Sequence, residues 1–326
     1  MTETRPRIVF MGTPAFAVAS LRALHGKGYS IECVVTAPDK PAGRGQKIAP
    51  TAVKDYAVTH GLPLLQPERL RDSSFVSALK DLDTDIFVVV AFRMLPEEVW
   101  AIPRLGTFNL HASLLPQYRG AAPVNHAIIN GETRTGVTTF LIDKEIDTGK
   151  ILLSRETEIF PADNAGSLHD RLMEIGAGLV IETAQGLFEG KLKPVPQKTE
   201  PGVVIHTAPK IFPSDTVVDW KETAVRIHNK IRGLSPYPGA VTTIKSENKT
   251  LRLKLFESRL SPEDKPAMAN VTHQEPGMLI VTEKSRLFVT SGSGEIEILS
   301  LQPEGRKKMT SSEFLRGFSL SGWSIA

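Results

Sequence analysis

Residues 7–35 read RIVFMGTPAFAVASLRALHGKGYSIECVV, and this stretch indicates the fold of the first part of the chain. The apolar run at 7–11 predicts a short strand. Thr13 followed by Pro14 predicts the start of a helix, with threonine as the N-cap and proline in the first turn. The apolar run at 31–35 predicts the next strand. A strand, a helix and a strand in this order favour a parallel sheet that is covered by helices.

The same alternation continues over the first 190 residues. Helices are predicted at 14–24, 51–60, 73–80 and 167–187, and further strands at 62–65, 85–91, 106–110, 136–142 and 150–159. Apolar strands separated by helices predict an α/β fold with a Rossmann-like, doubly wound and mainly parallel sheet, covered on both faces. Ligands bind at the carboxyl ends of the strands in such sheets.

The sequence pattern changes after residue 208. A short helix is predicted at 224–232, and five short strands at 240–244, 252–256, 277–282, 286–290 and 296–301. Short strands separated by Gly, Pro, Asn and Ser predict a small β-barrel. The stretch 190–208 contains several prolines and no periodicity, so we expect a linker with few contacts. The predicted domains are therefore residues 1–189 and 209–326.

Composition limits the class of protein. The 326 residues are 41% hydrophobic and 23% charged, which is typical of a globular protein. We expect no membrane association and no signal peptide, because no apolar run is long enough for either. The single cysteine, Cys33, excludes an internal disulfide, so we expect a cytoplasmic protein with this thiol buried. Residues 209–326 hold 17 Lys and Arg against 13 Asp and Glu. This excess permits a polyanionic partner, although a solvated surface also explains it.

A group of polar residues lies where the predicted sheet should bind a ligand. The sequence NLHASLLPQYRG begins at Asn109, directly at the end of a predicted strand, and KEIDTG at 144–149 contains Asp147. An amide, the imidazole of His111 and a carboxylate can stabilise a tetrahedral acyl-transfer intermediate and move its proton. A neighbouring carboxylate favours the charged imidazole and fixes its tautomer. In isolation, an Asn-X-His pattern would more often be structural.

The complete string resembles the catalytic region of the folate-dependent formyltransferases. It includes Ser113-Leu-Leu-Pro116, Arg119-Gly120, Pro123 and Asp147-Thr-Gly149, and the resemblance extends over residues 1 to about 190. It implies that Asn109, His111 and Asp147 are the catalytic residues. It also implies 10-formyltetrahydrofolate as the co-substrate. We expect no metal, because the histidines form no metal-ligand spacing.

The resemblance also implies a folate site. The residues that it places there are Ser113, Leu114, Leu115 and Pro116, together with Phe92 and Met94 of the loop after the strand at 85–91. The family usually reads Ala-Tyr-Gly-x-Ile-Leu-Pro in that loop. This chain reads Ala91-Phe-Arg-Met-Leu-Pro96, which is one residue shorter and lacks the glycine, but its side chains keep the loop apolar.

Residues 36–50, TAPDKPAGRGQKIAP, predict a long and mobile basic loop. Lys40, Arg44 and Lys47 suit contact with phosphates, although a solvated surface loop is the alternative. The stretch resembles the Pro-Asp-(Arg/Lys)-Pro-x-Gly-Arg-Gly loop in the branch of the family that formylates methionyl initiator tRNA. The resemblance implies that this loop contacts the tRNA acceptor stem. Related loops occur in members that act on sugar amines, so the loop alone leaves the substrate open.

Two stretches of the tail, PYPGA at 236–240 and LQPEGRKKM at 301–309, resemble the C-terminal domain of the same branch. The resemblance implies an OB-like barrel that binds tRNA, with Arg306, Lys307 and Lys308 as a basic cluster; a solvated turn is the alternative.

We therefore predict a monomer that formylates the amino group of methionyl initiator tRNA. A formyltransferase acting on a sugar-nucleotide amine is the alternative. A third reading, a non-catalytic RNA-binding protein, is opposed by the complete Asn109, His111 and Asp147 set.

Overall fold

The computed structural model describes residues 5–42, 47–199, 201–260, 275–282 and 285–326. The chain forms two compact units: the first contains residues 1–123, 134–158 and 169–208, and the second contains 124–133, 159–168 and 209–326. Residues 124–133 and 159–168, which lie inside the predicted first domain, thus belong to the second unit. No helix among the described residues is long and apolar enough to cross a membrane.

A seven-stranded sheet forms the centre of the first unit. The elements in chain order are β1 (Arg7–Gly12), α1 (Ala15–Gly26), β2 (Ser30–Val35), β3 (Lys40–Ala42), β4 (Lys47–Ala49), α2 (Ala52–Thr59), β5 (Leu64–Leu65), α3 (Ser73–Asp81), β6 (Ile86–Val90), α4 (Glu97–Trp100), β7 (Thr107–His111), β8 (Arg119–Gly120), α5 (Pro123–Ile129), β9 (Arg134–Leu141), β10 (Ile151–Glu158), α6 (Ala165–Phe188) and β11 (Thr207–Ala208). The strand order is β10-β9-β7-β6-β1-β2-β5, and β9 and β10 are antiparallel to their neighbours. The other five strands are parallel, which confirms the predicted mainly parallel α/β sheet.

Burial explains why the central strands have apolar sequences without alternation. β6 is buried at every position, because a parallel strand covered on both faces has no solvent side. One of the two faces packs around Val9, Phe87 and Leu79 of α3. Cys33 belongs to this same cluster, and its burial raises the pKa of its thiol to about 12. Cys33 is therefore an uncharged, buried side chain at neutral pH.

The other face of the sheet contacts α6 closely, and two glycines of this helix provide a matched test. A Cβ atom at Gly176 would lie 2.7 Å from Cδ2 of Leu110 on β7, whereas one at Gly178 would meet nothing within 4 Å. We expect Gly178→Ala to stabilise the protein by about 0.5–1 kcal/mol, because alanine favours a helix interior. Gly176→Ala should instead destabilise it by about 1–3 kcal/mol through overpacking. Denaturant-induced unfolding measures both changes, and equal effects would contradict this packing.

The second unit contains an antiparallel barrel. Its elements are a 3₁₀ helix (Pro213–Thr216), α7 (Ala224–Gly233), β12 (Ala240–Ser246), β13 (Lys249–Leu260), β14 (Leu279–Val281), β15 (Leu287–Thr290), β16 (Glu295–Pro303), β17 (Met309–Thr310), α8 (Ser311–Gly317) and β18 (Ser324–Ile325). The strand order is β14-β15-β16-β13-β12-β18, with β17 paired to β16. A Cβ atom at Gly277, just before β14, would lie 3.2 Å from Ile325 of β18. The two edges of the sheet therefore approach each other, which confirms the predicted small barrel.

The stretch 190–208 differs from the expected linker with few contacts. Val195 and Ile151 exchange two backbone hydrogen bonds, with N···O distances of 2.8 and 2.9 Å. The carbonyl of His206 accepts a hydrogen bond from the backbone N–H of Tyr118 (2.7 Å), and β11 pairs in parallel with β8. This stretch is therefore a part of the first unit. Its extended, non-periodic chain satisfies its backbone polar groups by pairing with loops and strand edges.

Candidate active site

The predicted polar residues lie at the carboxyl end of β7, beside the parallel strand β6. Asn109 and His111 are opposite Phe140 and Thr138 of β9 in the strand register. They are two residues apart in one strand, so both point to the same face of the sheet, with their Cβ atoms about 7 Å apart. Leu110, between them, points to the opposite face, where it packs against α6. The topology thus places a half-buried amide and a buried imidazole on the same face of β7, at the carboxyl end of the strand.

The imidazole of His111 has a defined orientation. Its Nε2 lies 2.9 Å from the carbonyl oxygen of Tyr118, which can only accept, so Nε2 carries a hydrogen. Its Nδ1 then faces the carboxylate of Asp147, with a distance of 3.8 Å to Oδ2. The two side chains are only 7% and 15% exposed, so solvent screens their interaction weakly. The structure therefore brings together His111 and Asp147, which are 36 positions apart in the sequence.

Asp147 and Tyr118 have backbone angles that few residues adopt. Their φ values are +56° and +58°, in the left-handed region that disfavours residues with a Cβ atom. The Asp147 carboxylate accepts a hydrogen bond from the backbone N–H of Gly120 (2.9 Å). Two unusual backbone conformations on either side of His111 indicate that the surrounding structure holds this site in one geometry.

Two glycines permit the close backbone contacts on which this geometry depends. Gly120 has a φ of +126°, and a Cβ atom there would lie 2.4 Å from the carbonyl oxygen of Ala208. At Gly149, two residues after Asp147, a Cβ atom would lie 1.7 Å from the carbonyl oxygen of Leu141. Neither position can accept a side chain without a shift of the backbone. Steric restriction therefore explains why the Arg-Gly and Asp-Thr-Gly parts of the motif contain glycine.

The amide of Asn109 is available for a ligand. Its side chain is half-buried, and no hydrogen bond joins it to any of the residues that the structure describes. The amide of Asn125, in contrast, donates to the carbonyl oxygen of Gly233 (2.8 Å) and has a structural role. A partly buried amide that has no hydrogen-bond partner among the described residues, near a buried histidine–aspartate pair, is suited to a bound polar group.

Thr138, a residue that the sequence did not single out, fixes the turn at 113–116 by two hydrogen bonds. The Thr138 hydroxyl donates to the carbonyl of Ser113 (2.7 Å) and accepts from the N–H of Leu115 (3.2 Å). The buried Ser113 hydroxyl donates to the carbonyl of Gln117 (2.6 Å), so it is used within the protein. Leu115 is buried, whereas Leu114 and Pro116 are half-buried. Among the four predicted folate-site residues at 113–116, Leu114 and Pro116 are the two whose side chains have accessible surface for a ligand.

The loop after β6 begins at Ala91, which also has a positive φ of +47°. Arg93 donates to the backbone carbonyls of Pro67 (2.7 Å) and Glu68 (3.0 Å), and it lies over the Phe92 ring, 5.3 Å from the centroid. These contacts fix the shortened loop. Phe92 is half-buried against the core, whereas Met94 is 73% exposed.

The predicted basic loop at 36–50 is built on paired strands. Residues 40–42 (β3) and 47–49 (β4) form an antiparallel hairpin, in which Lys40 pairs with Ala49. The Lys40 side chain is exposed. Arg44 and the side chain of Lys47 lie outside the described residues. The prediction of a loop is therefore wrong for residues 40–42 and 47–49, which are paired strands whose backbone groups satisfy one another.

The base of this hairpin is anchored through Asp39. Its carboxylate accepts hydrogen bonds from Nζ of Lys54 on α2 (2.5 Å) and from Nε2 of Gln66 (2.9 Å). These two bonds, the one from Lys54 above all, hold the pKa of Asp39 below its usual value. Asp39, directly before β3, is therefore fixed to α2 and to Gln66.

The second basic cluster lies in the turn between β16 and β17. Arg306, Lys307 and Lys308 are all exposed. Lys308 is partly engaged, because its Nζ lies 2.9 Å from Glu257 Oε1 and 5.1 Å from the centroid of the Phe256 ring. Arg306 and Lys307 have no ion pair with any residue in the described part of the chain. Those two side chains are thus the free charges of the cluster.

The described residues contain no group of three or more His, Cys, Asp or Glu that could hold a metal ion. The residues around the carboxyl end of β7 supply the Asn109 amide as a hydrogen-bond donor and the imidazole–carboxylate pair of His111 and Asp147. The arrangement can stabilise a developing negative charge and transfer a proton beside it.

Comparison with known proteins gives two adjacent family matches. The profile of the formyl transferase family matches residues 6–184, and the profile of the formyl transferase C-terminal domain matches residues 210–319. A methionyl-tRNA formyltransferase of Bacteroides fragilis is 49% identical over 318 residues, which cover 97% of this chain and 96% of that protein. A methionyl-tRNA formyltransferase of Flavobacterium johnsoniae is 48% identical, with 97% of each chain covered.

Solved structures with lower identity share the fold. HypX from Aquifex aeolicus in complex with tetrahydrofolic acid has a TM-score of 0.63 and 20% identity, covering 98% of this chain and 48% of that one. An N-formyltransferase from Helicobacter canadensis, in complex with folinic acid and dTDP-3-aminofucose, has a TM-score of 0.64 and 22% identity, covering 90% and 98%. At these identities the likeness concerns the fold alone.

Proposed function

Because this chain belongs to the formyl transferase family, we propose that it transfers the formyl group of 10-formyltetrahydrofolate to the amino group of methionyl initiator tRNA, for translation initiation. One observation carries this proposal: methionyl-tRNA formyltransferases are 48–49% identical to the chain over nearly the whole length of both proteins. The sugar-amine alternative rests on relatives such as the Helicobacter canadensis enzyme, at 22% identity. A monomer in the cytoplasm remains the expected state.

The residues at the edge of β6 and β7 fit a folate co-substrate. When bound, this molecule supplies a formyl group attached to a nitrogen that can leave. The half-buried rings of Phe92 and Pro116 and the side chain of Leu114 offer apolar surface, and the Asn109 amide offers a donor that no described residue uses. Ligand sites of this kind combine apolar walls with a few placed polar groups. Met94 is exposed, so we assign it only to the rim of this site.

The catalytic roles follow from the hydrogen-bonding capacity of three side chains. Asn109 donates to the formyl oxygen, on which negative charge develops as the amino nitrogen bonds to the formyl carbon. His111 and Asp147 provide the route for the proton that the amino nitrogen loses and the leaving nitrogen gains. The contact of His111 Nε2 with Tyr118 leaves Nδ1, on the Asp147 side, for this transfer. These assignments are supported by the position of Asn109 and His111 on one strand and by the distance of 3.8 Å between His111 and Asp147.

A formylation assay tests the proposed function directly. The purified protein is incubated with 10-formyltetrahydrofolate and methionyl initiator tRNA, and formyl-methionine is measured after release from the tRNA. We expect rapid formylation that requires both substrates. A dTDP-amino sugar in place of the tRNA is the control. Formylation of the sugar and not of the tRNA would refute the proposal and favour the alternative.

We propose contact with the tRNA for Lys40, Arg44 and Lys47 of the stretch 36–50 and for Arg306, Lys307 and Lys308 of the barrel. Two properties support this proposal. The side chains are positively charged, as phosphate contacts require, and they lie in exposed or Gly/Pro-rich segments. Lys308 should contribute least of the barrel cluster, because it already contacts Glu257.

Salt dependence measures these phosphate contacts. We expect the double variant R306A/K307A to bind methionyl initiator tRNA more weakly. The logarithm of its binding constant should also fall less steeply with the logarithm of the salt concentration, by about 2 units of slope, one for each lost contact. R22A is the matched control, because Arg22 is an exposed arginine that pairs with Glu174 on the first unit. An unchanged slope in the double variant would remove the cluster from the RNA interface.

A further inference from the structure

The side-chain amide of Gln197 both donates and accepts hydrogen bonds. Its Nε2 donates to the backbone carbonyl oxygens of Asp147 and Gly149, at 2.9 Å each. Its Oε1 accepts from Nε (3.1 Å) and from a terminal nitrogen (2.6 Å) of Arg119. Gln197 lies in the stretch after α6 and is separated by 50 residues from Asp147 and by 78 from Arg119. Both the donor and the acceptor capacity of this amide are therefore directed to the candidate active site.

Arg119 determines which way this amide points. A guanidinium can only donate, so it selects the oxygen of Gln197 and leaves the two amide hydrogens for the carbonyls of the Asp147 turn. The next residue, Gly120, donates its N–H to the Asp147 carboxylate (2.9 Å). Asp147 is thus held at its carboxylate by residue 120 and at its backbone by residue 197. Two attachments of this kind can maintain the φ of +56° that the residue would otherwise avoid.

We propose that Gln197, oriented by Arg119, is a positioning residue that holds Asp147 against His111 during formyl transfer. This inference rests on the proposed function, because it assigns a role within that reaction. Without the two bonds from Gln197, the Asp147 turn can relax toward an ordinary backbone conformation, and its carboxylate leaves the histidine. A displacement of about 1 Å at a catalytic group costs as much as about 100-fold in rate.

Two substitutions at position 197 separate this role from simple anchoring of Arg119. Q197A removes all four hydrogen bonds. Q197E keeps the acceptor for Arg119, but it loses both donors and places a carboxylate oxygen against two carbonyls. We expect both variants to lower kcat by about 10–100-fold, with KM for both substrates little changed. The unfolding temperature should fall in both, because hydrogen bonds of the folded state are lost. Wild-type kcat in Q197E would show that Gln197 serves only Arg119 and would overturn the proposal.

A double-variant cycle tests whether Gln197 acts through Asp147. In the D147N background, where the charge is already absent, adding Q197A should change the single-turnover rate by less than about twofold, because two changes that act through one group are not additive. An equal loss in both backgrounds would overturn the proposal. Q185A is the control, since Gln185 bonds to Tyr29 and Glu189 away from these residues. Inactive wild-type protein would refute the proposed function; an active wild type with unaffected variants would refute this inference alone.

Discussion

Replacement of Asn109 by alanine should lower kcat for formylation by about 10²–10³-fold, the usual loss when one donor to a developing oxyanion is removed. The free energy of unfolding should hardly change, because none of the described residues forms a hydrogen bond with the Asn109 side chain. Single-turnover formylation and denaturant-induced unfolding measure the two quantities. This combination of a large kinetic effect with a small effect on stability is expected of a group that acts on the substrate.

The matched control for Asn109 is another asparagine with a structural role. N125A loses the hydrogen bond to the carbonyl of Gly233, so it should cost about 1 kcal/mol of stability without lowering kcat. Asn109 would have no place in the mechanism if N109A retained the wild-type rate. If N109A lost as much stability as N125A, its amide would have a structural partner in the folded chain.

The substitution D147N should lower kcat by a similar factor, about 10²–10³-fold, because proton transfer and charge stabilisation both depend on the lost carboxylate. Asparagine keeps the size of the side chain and an oxygen that can accept from the N–H of Gly120. It removes the negative charge that lies 3.8 Å from Nδ1 of His111. We expect KM for the tRNA to be nearly unchanged, since no phosphate contact is proposed for this residue.

A second aspartate in the same turn provides the comparison. Asp143 accepts hydrogen bonds from the N–H of Glu145 (3.1 Å) and from the hydroxyl of Thr148 (2.8 Å), and its side chain is exposed. Asparagine can accept both bonds, so D143N should keep nearly the wild-type rate. If D143N and D147N were equally slow, the shape of the turn rather than the charge at Asp147 would explain the loss.

The elements that the sequence predicted are those that a local pattern identifies. The run at 85–91 contains β6 (Ile86–Val90), and the helical stripe at 167–187 corresponds to α6 (Ala165–Phe188). The buried faces of a strand or helix determine the spacing of its apolar residues, and this spacing identifies both elements in the sequence. The barrel was predictable for the same reason, although the short strands β17 and β18 have too few residues to show a period.

The site divides in the same way. The motif supplied Asn109, His111 and Asp147 as residue types with the right chemistry, and the resemblance gave them their expected roles. Thr138 and Gln197 were not predicted, because a threonine in a strand and a glutamine in a proline-rich stretch have no distinctive local pattern. Their importance depends on the atoms that they meet, and those atoms belong to other segments.

The sequence by itself determined the class of fold, the order of the elements and the chemical groups available for catalysis. Only the tertiary structure decided that 190–208 belongs to the first unit, that Asp147 faces Nδ1 of His111, and that Gln197 donates to the carbonyls of Asp147 and Gly149. Secondary structure repeats along the chain, so its burial leaves a period in the sequence. A hydrogen bond between residues that are 50 or 78 positions apart requires only one donor and one acceptor, and it leaves no period.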